Sequence, residues 1–214
     1  MLTSSKPRSS AGGWMAERPR IDLYCEDYGH EQFARALVGR LAREIGLHPI
    51  IRPISSRGGL GKAVTEFRAW QRAVSSGGGI GHEIPDLLVL LIDANCSGWA
   101  QVRRDLEESV EPGIFPRSAI GCPDPHVERW CLDPQCIQEV LGVSPPADPG
   151  KCERDLYKQL LRNTIKKAGQ PILISEMEYA PDLVEAMNLF QVGKRQPSLK
   201  HFVDQIRGAL QSLR

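Results

Sequence analysis

Two polar residues directly follow the most apolar stretch of the chain. Residues 87–92 are all apolar, and Asp93, Asn95 and Gly98 come after them. Two oxygen-bearing side chains at positions i and i+2 of a short turn can both face a hard cation such as Mg²⁺. The alternative is that Asp93 caps the next helix, because aspartate is a common N-cap residue. This stretch alone leaves both interpretations open.

A second acidic turn has the same arrangement. Residues 21–25 predict a strand that ends at Glu26, and apolar residues at helical spacing follow from Phe33 onward. The carboxyl ends of parallel strands lie along one edge of a sheet, where open α/β sheets bind ligands. Glu26 and Asp93 are therefore expected to converge and could hold a metal against phosphate oxygens. Glu128 is the third acidic residue expected near this edge, with a surface helix glutamate as the alternative.

The elements that position these residues predict an α/β fold with a mostly parallel sheet of about four strands flanked by helices. The apolar run before Asp93 is typical of a strand buried on both faces. Prolines in the second strand favour an edge of the sheet. The four strands are predicted over 21–25, 48–54, 87–92 and 118–122, and a further short strand is predicted over 171–175.

The chain divides by composition into three parts. Residues 1–18 are rich in Ser, Gly and basic residues and predict a disordered tail. Residues 19–143 form the predicted α/β domain. Residues 144–214, which become helical from Lys151, are interpreted as a helical C-terminal extension of the same domain.

The composition is that of a globular protein in water. The 214 residues are 41% hydrophobic and 25% charged. No apolar run reaches the roughly 18 residues that a membrane-spanning helix needs, and no signal peptide is recognised, so we expect a cytoplasmic protein. The six cysteines form no CxxC pair, which favours reduced, mostly buried thiols over a zinc site.

The charge is unevenly distributed along the chain. The net charge is +5 over residues 1–75, −8 over 76–149 and +4 over 150–214. This pattern suits a cation site flanked by basic surfaces that bind a polyanion, although solvated faces give the same pattern. The Gly-rich loop before Lys62 is not a P-loop, because Ser56 and Ala63 stand where that motif needs Gly and Ser or Thr. The cations proposed to contact nucleic acid are Arg57, Lys62, Lys151, Arg154, Lys158 and Arg162.

Three segments together resemble the Toprim domain, the topoisomerase–primase module also found in OLD-type and RloB-like nucleases. They are the strand and acidic turn at Glu26, the apolar strand ending in Asp93-x-Asn95, and the segment Glu128-Arg-Trp130. The last looks like the Glu-x-Trp segment of small stand-alone Toprim-like proteins encoded near ATPases in bacterial defence loci. The resemblance covers roughly residues 20–143.

The resemblance implies a Toprim-like Rossmannoid fold and Mg²⁺- or Mn²⁺-dependent cleavage of DNA or RNA. It implies that Glu26 is an acid/base or a ligand and that Asp93 is the principal ligand. Asn95 occupies the second position of the family's Asp-x-Asp motif, Glu31 or His30 stands where nuclease members have a second glutamate, and Glu128 would help with a second metal. An anti-phage role with a separate ATPase as partner is also implied, and the oligomeric state is left open.

Two residues depart from the family pattern. Asp27 stands where the family has glycine, and Asn95 is neutral where the pattern has a carboxylate. The asparagine carbonyl can coordinate a cation but adds no negative charge. We therefore predict a metal-dependent nuclease and keep a non-catalytic scaffold that binds a partner or nucleic acid as the alternative. A phosphotransferase or phosphatase with Asp93 as nucleophile is a third reading, and no lysine or threonine motif supports it.

Overall fold

The computed structural model describes residues 18–56, 59–77, 83–153 and 155–214. Within them the chain has the predicted α/β fold, with four strands that are all parallel and lie in the order β2-β1-β3-β4. The predicted tail lies outside the described residues, apart from Arg18. The strands are β1 (Arg20–Cys25), β2 (Ile50–Ser55), β3 (Leu87–Leu91) and β4 (Ser118–Gly121).

The strand order creates a crevice between β1 and β3. The chain passes from β1 to β2 on one side and then returns to place β3 and β4 on the other side. Ligands of open parallel sheets bind where the strand order reverses in this way. Every residue of β3 is buried, as its continuous apolar sequence predicts. Strand β2 lies at an edge and pairs its Pro53 with Leu23 of β1, which confirms the prediction from its prolines.

Helices cover both faces of the sheet. One face carries α1 and the helices of the C-terminal part, and the other carries α2 and α3. On the first face Trp130 is fully buried between Phe33 of α1 and Phe202 of α9, with ring centroids 5.4 Å and 6.0 Å away. The helices are α1 (Tyr28–Glu44), α2 (Gly59–Ser75), α3 (Trp99–Ser109), α4 (Val127–Cys131), α5 (Pro134–Leu141), α6 (Leu156–Lys167), α7 (Ala180–Ala186), α8 (Leu189–Arg195) and α9 (Pro197–Gln211).

The strand predicted over 171–175 is wrong, because this segment has no regular structure. Its backbone donors are satisfied locally, since the Glu178 carboxylate accepts from the N–H groups of Leu173, Ile174 and Ser175. A short 3-10 helix (Glu176–Tyr179) follows directly. The helix expected from Lys151 begins later, at Leu156.

The prediction of reduced cysteines is wrong for two of the six. Cys96, after β3, forms a disulfide with Cys152, before α6. The other four cysteines are free and buried, as predicted. The pairing could not be deduced from the sequence because the partners are 56 residues apart and lie on irregular segments. Among the helices of the described ranges, none combines the length and apolarity required to cross a membrane.

Candidate metal centre

The two acidic turns meet at the carboxyl edge of the sheet. Glu26 follows β1 and Asp93 lies two residues after β3, and these strands are neighbours on either side of the crevice. The backbone N–H of Asp93 donates to Glu26 Oε2 at 3.1 Å, while the N–H of Glu26 donates to the Leu91 carbonyl at 3.3 Å. The parallel register of β1 and β3 therefore fixes the Glu26 carboxylate beside Asp93.

A cavity of about 460 Å³ opens at this edge, and we call it the edge pocket. Among the residues that the structure describes, five carboxyl side chains and one lysine, Lys158 of α6, line it. Glu128, at the start of α4, is 7% exposed and contributes one of the carboxyls. The lining residues are Glu26, Asp27, Asp93, Asn95, Cys96, His126, Glu128, Asp155 and Lys158.

His30 enters the centre from the first turn of α1. Asp27 is the N-cap of this helix, and its carboxylate accepts from the His30 backbone N–H at 3.0 Å, as an aspartate N-cap does. The same Oδ1 atom lies 2.8 Å from His30 Nδ1. This contact orients the imidazole so that Nε2 lies 2.9 Å from Asp93 Oδ1.

The carboxylate of Asp93 is buried and has two further contacts besides the one with His30. His126 Nδ1 lies 3.0 Å from Oδ2, and the N–H of Val127 donates to Oδ1 at 3.0 Å. The sequence left open that Asp93 caps the helix that follows it, α3. Asp93 does accept from the first N–H of a helix, but that helix is α4. Asp124 accepts from the first N–H of α3, that of Trp99, at 3.2 Å.

Glu26, His30 and Asp93 form the group that could hold a metal ion. One ligand atom from each lies within 4.8 Å of the other two. His30 is 2% exposed, and its Nε2 makes no well-formed hydrogen bond although it lies 2.9 Å from Asp93 Oδ1. A buried polar atom without a well-formed hydrogen bond is costly. Two carboxylates and an imidazole are a suitable donor set for a divalent cation, which would displace the Nε2 proton of His30 on binding.

Electrostatics keeps Asp93 ionised in this cluster. Burial alone would raise the pKa of Asp93, but the charge of His30 and the contact with His126 hold it below its usual value. Burial would likewise lower the pKa of His30, and the charges of Asp93 and Asp27 instead raise it well above the usual value. The contact with Asp93 raises the pKa of His126 as well.

The pKa values of Glu128 and Glu26 are raised, in contrast to that of Asp93. Burial, reinforced by the charge of Asp93, raises the pKa of Glu128 to about 7. Burial also raises the pKa of Glu26, and the nearby charge of His30 opposes this effect. The pocket thus combines an ionised aspartate with a glutamate that can exchange a proton near neutral pH.

The turn after Asp93 has an unusual backbone. Asn95 and Cys96 have φ values of 47° and 70°, in the left-handed region that non-glycine residues seldom adopt. The Asn95 N–H donates to the Pro125 carbonyl, and the disulfide ties Cys96 to Cys152. Two such residues in a row persist only where the surroundings hold them, and they often lie at functional sites.

Several residues predicted for the site lie outside the edge pocket. Glu31 points to Arg35, 3.2 Å away, so His30 rather than Glu31 joins the cluster. Among the predicted nucleic-acid contacts, Lys158 alone reaches the pocket within the described residues. Lys62, Lys151 and Arg162 form ion pairs with Glu66, Glu153 and Glu176, and Arg57 and Arg154 lie outside the described residues.

Strand pattern alone predicted neither His30 nor His126 as a residue of the site. The signal for His30 was present, because an N-cap aspartate contacts the residue three positions later, and that residue is His30. His126 carried no comparable signal. His126 follows β4, and its contact with Asp93 depends on the pairing of β4 with β3 in the sheet. The two residues are 33 positions apart in the sequence.

A second cavity of about 350 Å³ lies on the other side of α4 and α6. Arg129 and Tyr157 line it, whereas their neighbours Glu128 and Lys158 line the edge pocket. Arg129 is paired there with Asp148 at 3.0 Å. Glu26 and Asp93 of the candidate metal group line the edge pocket and not this second cavity.

Comparison of the chain with protein-family models, with curated proteins and with solved structures finds no match.

Proposed function

We propose that this protein is a metal-dependent phosphodiester hydrolase of Toprim type that cleaves DNA or RNA. The observation that carries the proposal is the convergence of Glu26, His30 and Asp93 at the carboxyl edge of β1 and β3. The sequence resemblance supports nucleic acid as the substrate. It also supports a defence effector that works with a separate ATPase, and this part of the proposal rests on the resemblance alone.

The residues of the pocket have separate roles in this reaction. Glu26 and Asp93 hold the cation, and the Asn95 side chain supplies a neutral oxygen at the same rim. A bound Mg²⁺ or Mn²⁺ would polarise the phosphoryl group and offset negative charge in the transition state. Lys158, whose side chain is 43% exposed, can contact a phosphate oxygen from the opposite wall.

Glu128 is the residue best placed to transfer a proton. It is buried, lines the pocket and is free of the direct contacts that hold Asp93. A carboxyl in this position can donate a proton to the leaving hydroxyl group or accept one from water. Glu128 is therefore assigned to proton transfer rather than to the primary metal ligands.

The charge of the pocket makes substrate binding dependent on the cation. Five carboxyl groups face one lysine there, and this balance repels a phosphate backbone. A divalent ion at the edge reverses the local balance and provides a contact for the phosphate. Nucleic acid should therefore bind at this edge only when the metal is present.

The non-catalytic scaffold is the second candidate, and one observation favours it. Both oxygens of Asp93 already have partners in His30, His126 and Val127. A structural ion-pair network would give the same contacts without any metal. A carboxylate has about four lone-pair positions, however, so these contacts still leave Asp93 able to bind a cation.

Cleavage assays distinguish the two candidates. Fluorescent single- and double-stranded DNA and RNA are incubated with the protein in Mn²⁺ or Mg²⁺. We expect metal-dependent cleavage that falls by at least about 100-fold in Asp93→Asn and Glu26→Gln. The matched control is Glu139→Gln, an exposed glutamate on α5 outside the pocket, which should retain full activity. Equal cleavage by Asp93→Asn and the wild type would contradict the proposal, and binding of nucleic acid without cleavage would favour the scaffold.

A further inference from the structure

The ligand set at the sheet edge contains a nitrogen atom as well as carboxylate oxygens. We propose that His30 Nε2 is a metal ligand positioned by Asp27, and that the centre consequently selects Mn²⁺ and related first-row transition ions over Mg²⁺. This inference rests on the proposed function, because it specifies the metal of the same site.

The contact between Asp27 and His30 leaves one ring nitrogen for the metal. Asp27 Oδ1 accepts from the backbone N–H of His30 and also lies 2.8 Å from its Nδ1. An ionised carboxylate is only an acceptor, so Nδ1 carries the hydrogen. In protein metal sites a carboxylate bound to one imidazole nitrogen in this way fixes the ring and makes the other nitrogen a better ligand.

The remaining nitrogen is buried and directed at the two carboxylates. His30 Nε2 has no hydrogen-bond partner, although it lies 2.9 Å from Asp93 Oδ1. Neighbouring ligands of one octahedral ion with bonds of about 2.1 Å are about 3 Å apart. The observed separation therefore suits two ligands of the same ion, whereas an isolated histidine would leave this atom unsatisfied.

Asp93 is held in place for this role from its other side. His126 Nδ1 contacts Oδ2, and the Val127 N–H donates to Oδ1. These contacts orient the carboxylate toward His30 and Glu26 instead of toward solvent. Asn95 adds a neutral oxygen at the rim, so the cluster has fewer negative ligands than an all-carboxylate site.

The mixed donor set determines which ions the site prefers. Mg²⁺ favours carboxylate, carbonyl and water oxygens, whereas imidazole nitrogen suits first-row transition ions. Mn²⁺ accepts both kinds of ligand. A buried imidazole between two carboxylates should thus add affinity for Mn²⁺, Co²⁺ or Zn²⁺ and add little for Mg²⁺.

Equilibrium dialysis with Mn²⁺ and with Mg²⁺ measures the selectivity. We expect the wild-type protein to bind Mn²⁺ at least about tenfold more tightly than Mg²⁺. His30→Gln should weaken Mn²⁺ binding by about 10- to 100-fold and change Mg²⁺ binding by less than about threefold. Asp27→Asn should weaken Mn²⁺ binding by about tenfold, because it replaces the carboxylate that makes the imidazole a better ligand with a neutral amide. The control His48→Gln alters an exposed histidine before β2 and should change neither affinity.

Pulsed electron paramagnetic resonance of bound Mn²⁺ tests the ligand directly and does not depend on activity. We expect modulation from a coordinated ¹⁴N nucleus in the wild type and its loss in His30→Gln that remains folded by circular dichroism. Modulation that persists in this variant, or is absent from the wild type, would overturn the assignment of His30. If Glu26→Gln still abolishes Mn²⁺ binding in that case, the proposed function stands and only the nitrogen ligand is lost. If the wild type binds no metal, both proposals fail.

Discussion

At the scale of single residues, one buried imidazole joins the two acidic turns. His30 lies between Asp27 and Asp93, and Asp93 also contacts His126. The sequence predicted Glu26 and Asp93 because each follows a strand of recognisable pattern. His30 was named only through the family resemblance, as an alternative to Glu31, since a histidine in a polar turn has no spacing rule that assigns it to a site 63 residues away in sequence.

The stability of the metal-free protein should depend on pH through this network. The charges of the two aspartates raise the pKa of His30 despite its burial, so its contribution is complete below about pH 6.5 and is lost as the pH rises through the folded-state pKa. The pKa of Asp93 is lowered despite burial, so its contribution is present above about pH 4 and is lost as the pH falls through the folded-state value.

The contribution of the His30–Asp93 pair to the free energy of unfolding should accordingly be greatest between about pH 4 and pH 6.5. His30→Gln should lower it by about 3 kcal/mol in this range, because it leaves the buried Asp93 without one of its cations. Urea unfolding with EDTA present, from pH 3.5 to 9, measures the effect. An equal loss at pH 5 and pH 9 would show that the ion pair does not contribute.

At the scale of elements, local sequence pattern was sufficient for the sheet. Four strands, the edge position of β2 and the meeting of the turns after β1 and β3 were all predicted from apolar runs, prolines and the alignment of carboxyl ends in a parallel sheet, whereas the strand order was not predicted. Predictions failed where long-range contacts decide the structure. Residues 171–175 have strand-forming residues but satisfy their donors through Glu178, and the partner of Cys96 lies beyond three intervening helices and a strand.

The packing of β4 depends on the absence of a side chain at Gly121. A Cβ atom there would lie 2.7 Å from Leu91 Cδ1 of β3 and 2.9 Å from Phe202 of α9. Gly121→Ala should therefore destabilise the protein by about 1–3 kcal/mol through overpacking. Gly208→Ala is the matched control, because its Cβ would meet nothing within 4 Å and alanine favours the helix by about 0.5–1 kcal/mol. Thermal unfolding compares the two, and equal stabilities would contradict this packing.

The disulfide between Cys96 and Cys152 joins the turn at the edge pocket to the segment before α6. It closes a loop across 56 residues, so Cys152→Ser should lower the free energy of unfolding by about 2–4 kcal/mol in non-reducing buffer. Under reducing conditions the variant and the wild type should have the same stability.

Thiol counting provides an independent check. The denatured, unreduced protein should show four reactive thiols, and reduction should raise the number to six. Six thiols before reduction would contradict the pairing.

At the scale of the whole molecule, the fold gathers five carboxyl side chains at one edge of the sheet. The central part of the sequence, 76–149, carries a net charge of −8, and the strand order brings its Asp93 and Glu128 beside Glu26, which follows the first strand. The α/β class and this convergence were predictable because parallel strands align their carboxyl ends. Contact of the basic segments with nucleic acid stays a prediction. Lys62, Lys151, Lys158 and Arg162 each form an ion pair with a glutamate, and of these Lys158 also lines the pocket.

The charge balance of the edge pocket makes binding of nucleic acid depend on metal. Fluorescence anisotropy of a labelled single-stranded oligonucleotide should increase with wild-type protein in Mn²⁺ and should remain low in EDTA. Lys158→Gln should weaken the metal-dependent binding several-fold without changing the affinity for Mn²⁺ itself. Tight binding in EDTA that Lys158→Gln does not alter would place the nucleic acid on another surface.

The central claim is that Glu26, His30 and Asp93 hold one metal ion, and anomalous scattering from crystals soaked in Mn²⁺ tests it most directly. We predict a single strong anomalous peak at the carboxyl edge of β1 and β3, bounded by the Glu26 and Asp93 carboxylates and His30 Nε2, with no peak there in crystals of Asp93→Asn. An edge pocket without anomalous density at millimolar Mn²⁺, or a peak that lies elsewhere and persists in Asp93→Asn, would contradict the account.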